Sequence, residues 1–156
     1  MDPDLFRSVL GRFATGVVVV TARDAAGRDH GMTVSAFSSV SLDPPLVLIC
    51  VGHDATIYDP LMSATSLGVS ILASHQEACS RRFADHEEES FEGIGYARGE
   101  AGVLLLDEAT AHLECRVVDR HEAGDHTILV ALVERAAAFE GRPLLYYRGG
   151  YARLER

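Results

Sequence analysis

Gly31-Met32-Thr33-Val34-Ser35-Ala36-Phe37-Ser38-Ser39-Val40-Ser41-Leu42-Asp43-Pro44-Pro45, running on into Leu46-Val47-Leu48-Ile49-Cys50-Val51, is the stretch whose reading decides the fold. Hydroxyls at Thr33, Ser35, Ser38, Ser39 and Ser41 are interleaved with mostly apolar residues, so an extended segment here is greasy on one side and hydroxyl-lined on the other. A hydroxyl offers one donor and two acceptor lone pairs without the desolvation cost of a fixed charge, and small side chains let a bulky ligand approach the backbone. Such a face suits a polyol or a phosphate ester. Composition alone favours the plainer reading, an edge strand with a wetted Ser/Thr face. Pro44-Pro45 removes ladder donors and forces a turn, and the apolar run after it is short enough for a strand buried on both faces.

On the N-terminal side, Val17-Val18-Val19-Val20-Thr21-Ala22 reads as a strand and Ala25-Ala26-Gly27 as the turn that pairs it with the hydroxyl stretch in a hairpin. Ahead of it, Asp2-Pro3 offers a cap and a first-turn proline, and Leu5, Phe6, Val9, Leu10 and Phe13 fall at helical spacing through about Arg12. On the C-terminal side, Gly52 to Thr56 reads as a loop, followed by a short helix through Met62, a strand over Leu67 to Leu72 and a helix over 75–84. The acidic run Asp85-His86-Glu87-Glu88-Glu89-Ser90 opens a glycine-punctuated loop to about Gly102, a solvated stretch or a lid. Strands over Ala111 to Val118 and Thr127 to Val133, joined through Asp119 to Asp125, and another over Leu144 to Tyr147 complete the chain. No strand leads into the glycine-rich turn and long helix of a doubly wound nucleotide fold. Six or so strands with few helices point to a closed or nearly closed antiparallel barrel.

The 156 residues are enough for one domain over 1–156 with a substantial core, and 47% hydrophobic with 24% charged residues is an ordinary globular composition. The net charge of -9, with every one of the 14 basic residues an arginine, argues against nucleic acid and anionic membranes as partners, and the absence of lysine removes Schiff-base chemistry. No apolar stretch reaches membrane-spanning length and no signal segment is evident, so the expected location is cytoplasmic. Cys50, Cys79 and Cys115 are odd in number and widely spaced, so each reads as a buried small hydrophobe rather than part of a disulfide or zinc framework.

Pattern reasoning finds no hydrolytic triad, P-loop or diagnostic carboxylate pair, and no metal-ligand set. His112-Leu113-Glu114-Cys115 reads as core packing, and His53, His75 and His86 as surface residues. What stands out is the hydroxyl stretch taken with Gly124-Asp125-His126 and the tail Pro143-Leu144-Leu145-Tyr146-Tyr147-Arg148-Gly149-Gly150-Tyr151. Together these resemble the flavin reductase family, small NAD(P)H:flavin oxidoreductases that feed reduced flavin to two-component monooxygenases. The resemblance extends through Phe13-Ala14-Thr15-Gly16-Val17, Ser80-Arg81-Arg82-Phe83-Ala84 and Leu113-Glu114-Cys115, nearly the whole chain.

The resemblance implies a mainly β fold with a few helices, the FMN-binding split β-barrel, a Greek-key antiparallel barrel. It implies that the flavin ring and ribityl chain lie against Thr33, Val34, Ser35, Ala36, Ser38 and Ser39, and that Cys50, Val51 and Gly52, with Thr56 beyond, hold the phosphate end. Arg82 and Phe83 match a segment near the flavin, with Arg82 neutralising phosphate, and His126 matches the histidine beside the nicotinamide. It also implies FMN or FAD with NADH or NADPH as co-substrate, a homodimer, and a flavin-dependent monooxygenase as partner. Departures from the family pattern occur at His53, Ala55 and Val103-Leu104. A flavin-retaining oxidase on the same barrel and a non-catalytic binding barrel remain alternatives.

Overall fold

The structure, a computed structural model, describes residues 1–85 and 91–155. In chain order the elements are α1 (Pro3–Leu10), β1 (Thr15–Gly16), β2 (Val18–Arg23), β3 (Asp29–Val34), β4 (Phe37–Ser41), β5 (Leu46–Gly52), α2 (Tyr58–Ser63), β6 (Ser66–Ile71), α3 (Glu77–Ala84), β7 (Tyr96–Arg98), β8 (Leu104–Leu106), β9 (Ala111–Ala123), β10 (His126–Ala138), β11 (Leu144–Tyr147) and β12 (Gly150–Arg153). Helix α1 starts where the sequence predicts, with the Asp2 carboxylate accepting from the Asp4 N–H at 3.2 Å and proline in the first turn. Its apolar stripe is not covered by the rest of the chain: Leu5, Phe6, Val9 and Leu10 are each about half exposed, and Phe13 just beyond is 77% exposed.

Seven strands form one antiparallel sheet in the order β3-β2-β6-β9-β10-β5-β4. Strands β3 and β4 follow one another in sequence, yet they occupy opposite edges of that sheet with only Ser35 and Ala36 between them. Three Cα-to-Cα steps span at most about 11 Å, so the sheet must roll until its two edges nearly meet. The result is a split barrel, its seam at Ser35-Ala36, with no ladder joining β3 to β4 among the described residues. The Cys50 N–H donates to the Ala36 carbonyl at 3.0 Å and ties the seam to β5. Two smaller sheets, β1-β11-β12 and β7-β8, flank it.

The barrel interior holds Val18, Val20, Ile49, Val51, Leu67, Val69 and Leu129, closed at one side by Ile57 and by Leu61 of α2. A second core, built from Val17, Val19, Leu72, Phe83, Leu106 and Leu144, lies on the other face of β2 beneath α3. Full burial of such a side chain contributes roughly 1.5–3 kcal/mol, which makes β2, buried on both faces, the strand that joins the two cores.

Several expectations are corrected. The strand buried on both faces is β2; in β5, Val47, Ile49 and Val51 are buried while Leu46, Leu48 and Cys50 are half-buried, because β5 has interior on one side only. The barrel is of the nearly closed kind expected, but the hydroxyl stretch is two strands broken at the seam. Most of the segment read as a connection over 119–125 is strand: β9 runs to Ala123, and Gly124-Asp125 alone makes the turn. The glycine-punctuated loop contains β7, which pairs with β8 just beyond it, and the lid reading of the acidic run falls largely on residues 86–90, outside the described residues. Of the cysteines only Cys115 is fully buried, and burial pushes its thiol up to about 12; Cys50 and Cys79 are half-buried. His112 sits with Nε2 2.6 Å from the Leu106 carbonyl, and the nearly buried Glu114 accepts from the Ala101 N–H at 2.8 Å, so this segment is committed to packing and hydrogen bonding.

Candidate functional site

At the seam, β3, α3 and the β11-β12 hairpin converge on a cleft of about 190 Å³ lined by Val17, Thr33, Ser35, Ser80, Ala84, Tyr146 and Tyr151. Thr33 Oγ1 donates to the Ser80 carbonyl at 2.6 Å and pins α3 to β3. Ser80 Oγ lies 2.7 Å from the Tyr151 hydroxyl, and the Arg81 guanidinium rests over the Tyr151 ring at 4.9 Å. The Tyr146 and Tyr151 rings meet edge to face at 5.4 Å. Small residues at 33, 35, 80 and 84 leave room beside two aromatic rings, with hydroxyls along the rim. That combination fits a planar apolar body with a polar edge and a polyol tail, as a flavin has. One buried side-chain polar atom has no hydrogen-bond partner among the described residues: the Thr15 hydroxyl oxygen, on the residue paired with Tyr146 of the cleft wall.

A second cluster lies along β5. Cys50 bonds the seam, and two residues further, about 7 Å along a strand, Gly52 pairs with His126 of β10. His126 follows a two-residue turn with a positive φ of 64° at Gly124 and none at Asp125, the pattern of a type II′ hairpin, for which glycine is the favoured first residue. Its Nδ1 lies 2.8 Å from the Asp125 carboxylate, and this hydrogen bond holds the Asp125 carboxyl below its ordinary value. The ring then presents Nε2 toward Gly52: a Cβ on Gly52 would lie 3.7 Å from that nitrogen and 2.9 Å from Asp54 Oδ1.

The residues implied by the resemblance are therefore placed in three settings. Thr33 and Ser35 line the cleft; Ala36, Ser38 and Ser39 are exposed along the seam and β4, with Ser38 Oγ donating to the Ser39 carbonyl at 2.9 Å. Val34 and Val51 point into the barrel core, so only their backbone is available to a ligand, while Cys50 and Gly52 are half-buried beside the seam and Thr56 is exposed. Arg82 donates from its guanidinium to the Glu92 carbonyl, and Phe83 is packed in the second core against Phe91, ring centroids 5.0 Å apart. The cleft residues to which sequence reasoning gave no site role are Val17, Ser80, Ala84, Tyr146 and Tyr151. Helical spacing could have found two of them, since Ser80 and Ala84 are four apart and share one face of α3.

The seam of this split barrel opens on a small-residue, hydroxyl-rimmed cleft whose shape and backbone could receive a planar ligand. Residues 10–155 match the flavin reductase like domain, and the chain belongs to the flavin reductase family. It is 42% identical to an NADH-dependent flavin reductase of a Rhodococcus species, over 99% of this chain and 90% of that one. The reductase subunit HsaB of a flavin-dependent monooxygenase from Mycobacterium tuberculosis is 35% identical over 99% of this chain and 84% of that one. Among solved structures, the NADH:FAD oxidoreductase SgcE6 of Streptomyces globisporus C-1027, in complex with NAD and FAD fragments, superposes with a TM-score of 0.93 at 41% identity, covering 98% of this chain and 93% of that one.

Proposed function

We propose that this protein is an NAD(P)H-dependent flavin reductase, reducing FMN or FAD at the seam with NADH the favoured reductant. The observation that carries this reading is the nearness of the seam to His126 along β5: Ala36 bonds Cys50, and Gly52, two residues on, pairs with His126. When bound together, nicotinamide and flavin supply the hydride chemistry themselves, from nicotinamide C4 to flavin N5. The chain binds, orients and excludes water.

Backbone groups of Thr33 to Ser39 and the hydroxyls of Ser35, Ser38 and Ser39 hold the flavin edge and ribityl chain. The Thr33 hydroxyl has its proton on the Ser80 carbonyl, so it offers lone pairs to a ligand and keeps α3 in place. Backbone of Cys50 to Gly52 and the Thr56 hydroxyl receive the phosphate end. Arg82 has guanidinium N–H groups beyond the one that meets Glu92, and these neutralise phosphate. Phe83 acts as the packed support behind β3. His126 Nδ1–H donates to Asp125 and leaves Nε2 for the nicotinamide carboxamide or the dinucleotide phosphate.

We take residues 1–156 to act as one domain, in a cytoplasmic homodimer that supplies a flavin-dependent monooxygenase. The exposed apolar stripe of α1 supports the dimer: the Arg148 N–H donates to the Gly11 carbonyl at 2.8 Å, which places the helix beside exposed Tyr146 and Tyr147 in one apolar surface. Among the described residues no helix is long and apolar enough to cross a membrane. The activity is tested by following NADH and NADPH oxidation with and without FMN, FAD and riboflavin. Rapid turnover only when flavin is added is expected. A folded protein that consumes no nicotinamide with any of the three would overturn the reading.

A further inference from the structure

His53 lies outside the cleft, yet it grips the turn that carries His126. Its backbone N–H donates to the Asp125 carbonyl at 2.9 Å. Its imidazole Nε2 lies 2.8 Å from Glu122 Oε2 and 3.2 Å from Thr127 Oγ1. Thr127 is 0% exposed; its hydroxyl donates to Glu122 Oε1 at 2.8 Å and lies 2.9 Å from the Tyr58 hydroxyl. Donor counting fixes the directions. An ionised carboxylate only accepts and a threonine hydroxyl has one proton, so Tyr58 donates to Thr127, Thr127 to Glu122, and His53 carries its proton on Nε2. The His53 and Tyr58 rings also meet edge to face at 5.3 Å.

Four side chains, from the loop after β5, from α2, and from both arms of the β9-β10 hairpin, thus form one hydrogen-bonded unit. Glu122 and Thr127 are cross-strand partners one pair below the turn. The two arms of the hairpin are held unequally: β10 is paired to β5 as far as His126 and Gly52, whereas the β6 ladder leaves β9 at Arg116, so beyond it β9 has β10 alone as a ladder neighbour among the described residues, and Gly124, Asp125 and His126 are exposed.

We propose that His53 is a positioning residue for the reductant: through Glu122, Thr127 and Tyr58 it clamps the Gly124-Asp125 turn against Gly52, and so sets where His126 Nε2 meets the nicotinamide dinucleotide. This rests on the reading of His126 given above. The test compares His53→Phe, which keeps the ring against Tyr58 and removes the donor, with Glu122→Ala, the double variant and His126→Ala, using the full chain at saturating flavin. His53→Phe is expected to raise KM for NADH by about 3- to 10-fold, the scale of one lost hydrogen bond, with kcat and flavin Kd within about twofold. Glu122→Ala, at a largely exposed side chain, gives the same result if His53→Phe folds poorly, and the double variant is no worse than either single, because the residues act as a unit. A purely structural role predicts a lower melting temperature with unchanged KM in the folded fraction. If His126→Ala raises KM for NADH while His53→Phe and Glu122→Ala leave it within about twofold, the positioning role is overturned and the nicotinamide reading stands. If none of the three moves it, both are overturned.

Discussion

Gly31→Ala tests the coupling between the hydroxyl stretch and the core behind it. Gly31 is buried in β3, opposite Thr21, and a Cβ there would lie 2.9 Å from both Cδ1 and Cε1 of Phe83 and 3.1 Å from Cζ of Phe91. Phe83 is only 4% exposed, so its ring cannot swing clear and α3 must lift from β3, loading the 2.6 Å Thr33–Ser80 bond that shapes the cleft. Two effects oppose. Alanine reduces the freedom of the unfolded chain, which stabilises by about 0.4–1 kcal/mol where the backbone accepts it, whereas overpacking costs about 1–3 kcal/mol. Overpacking wins at mid-range by about 1.3 kcal/mol, within limits of about 0 and 2.6 kcal/mol, which lowers the melting temperature by roughly 3–5 °C at this chain length. Thermal unfolding by circular dichroism reads the stability, and flavin titration well below the transition reads a weaker affinity. Phe83→Leu in the Gly31→Ala background recovers part of both losses, since the two sites share one clash. A Gly31→Ala protein with wild-type melting temperature and wild-type flavin affinity would refute the reasoning.

Replacing Thr33 and Ser35 together by valine should weaken flavin binding by about 0.5–1.5 kcal/mol for each lost hydrogen bond, read by fluorescence titration; unchanged affinity would move the flavin away from the seam. His126→Ala should lower kcat/KM for NADH by about 10- to 150-fold with flavin affinity nearly intact, and a change within about twofold per folded molecule would remove His126 from the nicotinamide site. Light scattering should give twice the 16.9 kDa chain mass, and Leu10→Glu, on the uncovered stripe of α1, should shift it toward the monomer; a wild-type monomer at micromolar concentration would rule the dimer out. Asp24 is held below its ordinary carboxyl value first by the His30 hydrogen bond and then by the Arg28 and Ala26 N–H groups. A lowered folded value contributes stability that is full above the ordinary value of about 4 and is lost as pH falls through the folded one. Asp24→Ala should therefore lower the melting temperature at neutral pH, by a margin that narrows as the pH falls below the ordinary carboxyl value.

The sequence by itself determined the local pieces. The Asp2-Pro3 cap starts α1, Ala25-Ala26-Gly27 closes the β2-β3 hairpin, Pro44-Pro45 turns β4 into β5, and Gly124 allows the tight turn before His126. The hydroxyl stretch and Gly-Asp-His sufficed to suggest the family, because turn chemistry and side-chain type act over a few residues. Tertiary structure decided what depends on distant neighbours. That β3 and β4 lie on opposite sheet edges, making Ser35-Ala36 a seam rather than the middle of a strand, follows from the order of seven strands and from nothing within the stretch. The outer half of β9 carries Asp119, Arg120, His121 and Glu122, which read as a loop until ladder bonds to β10 hold them extended. Phe83, placed near the flavin by resemblance, is drawn into the second core because Gly31 leaves the space for its ring, while Ser80 and Tyr151, 71 residues apart, become cleft partners only when the β11-β12 hairpin packs beside α3. Periodicity reports which face of an element is apolar; which other element covers that face is set by how the sheet rolls.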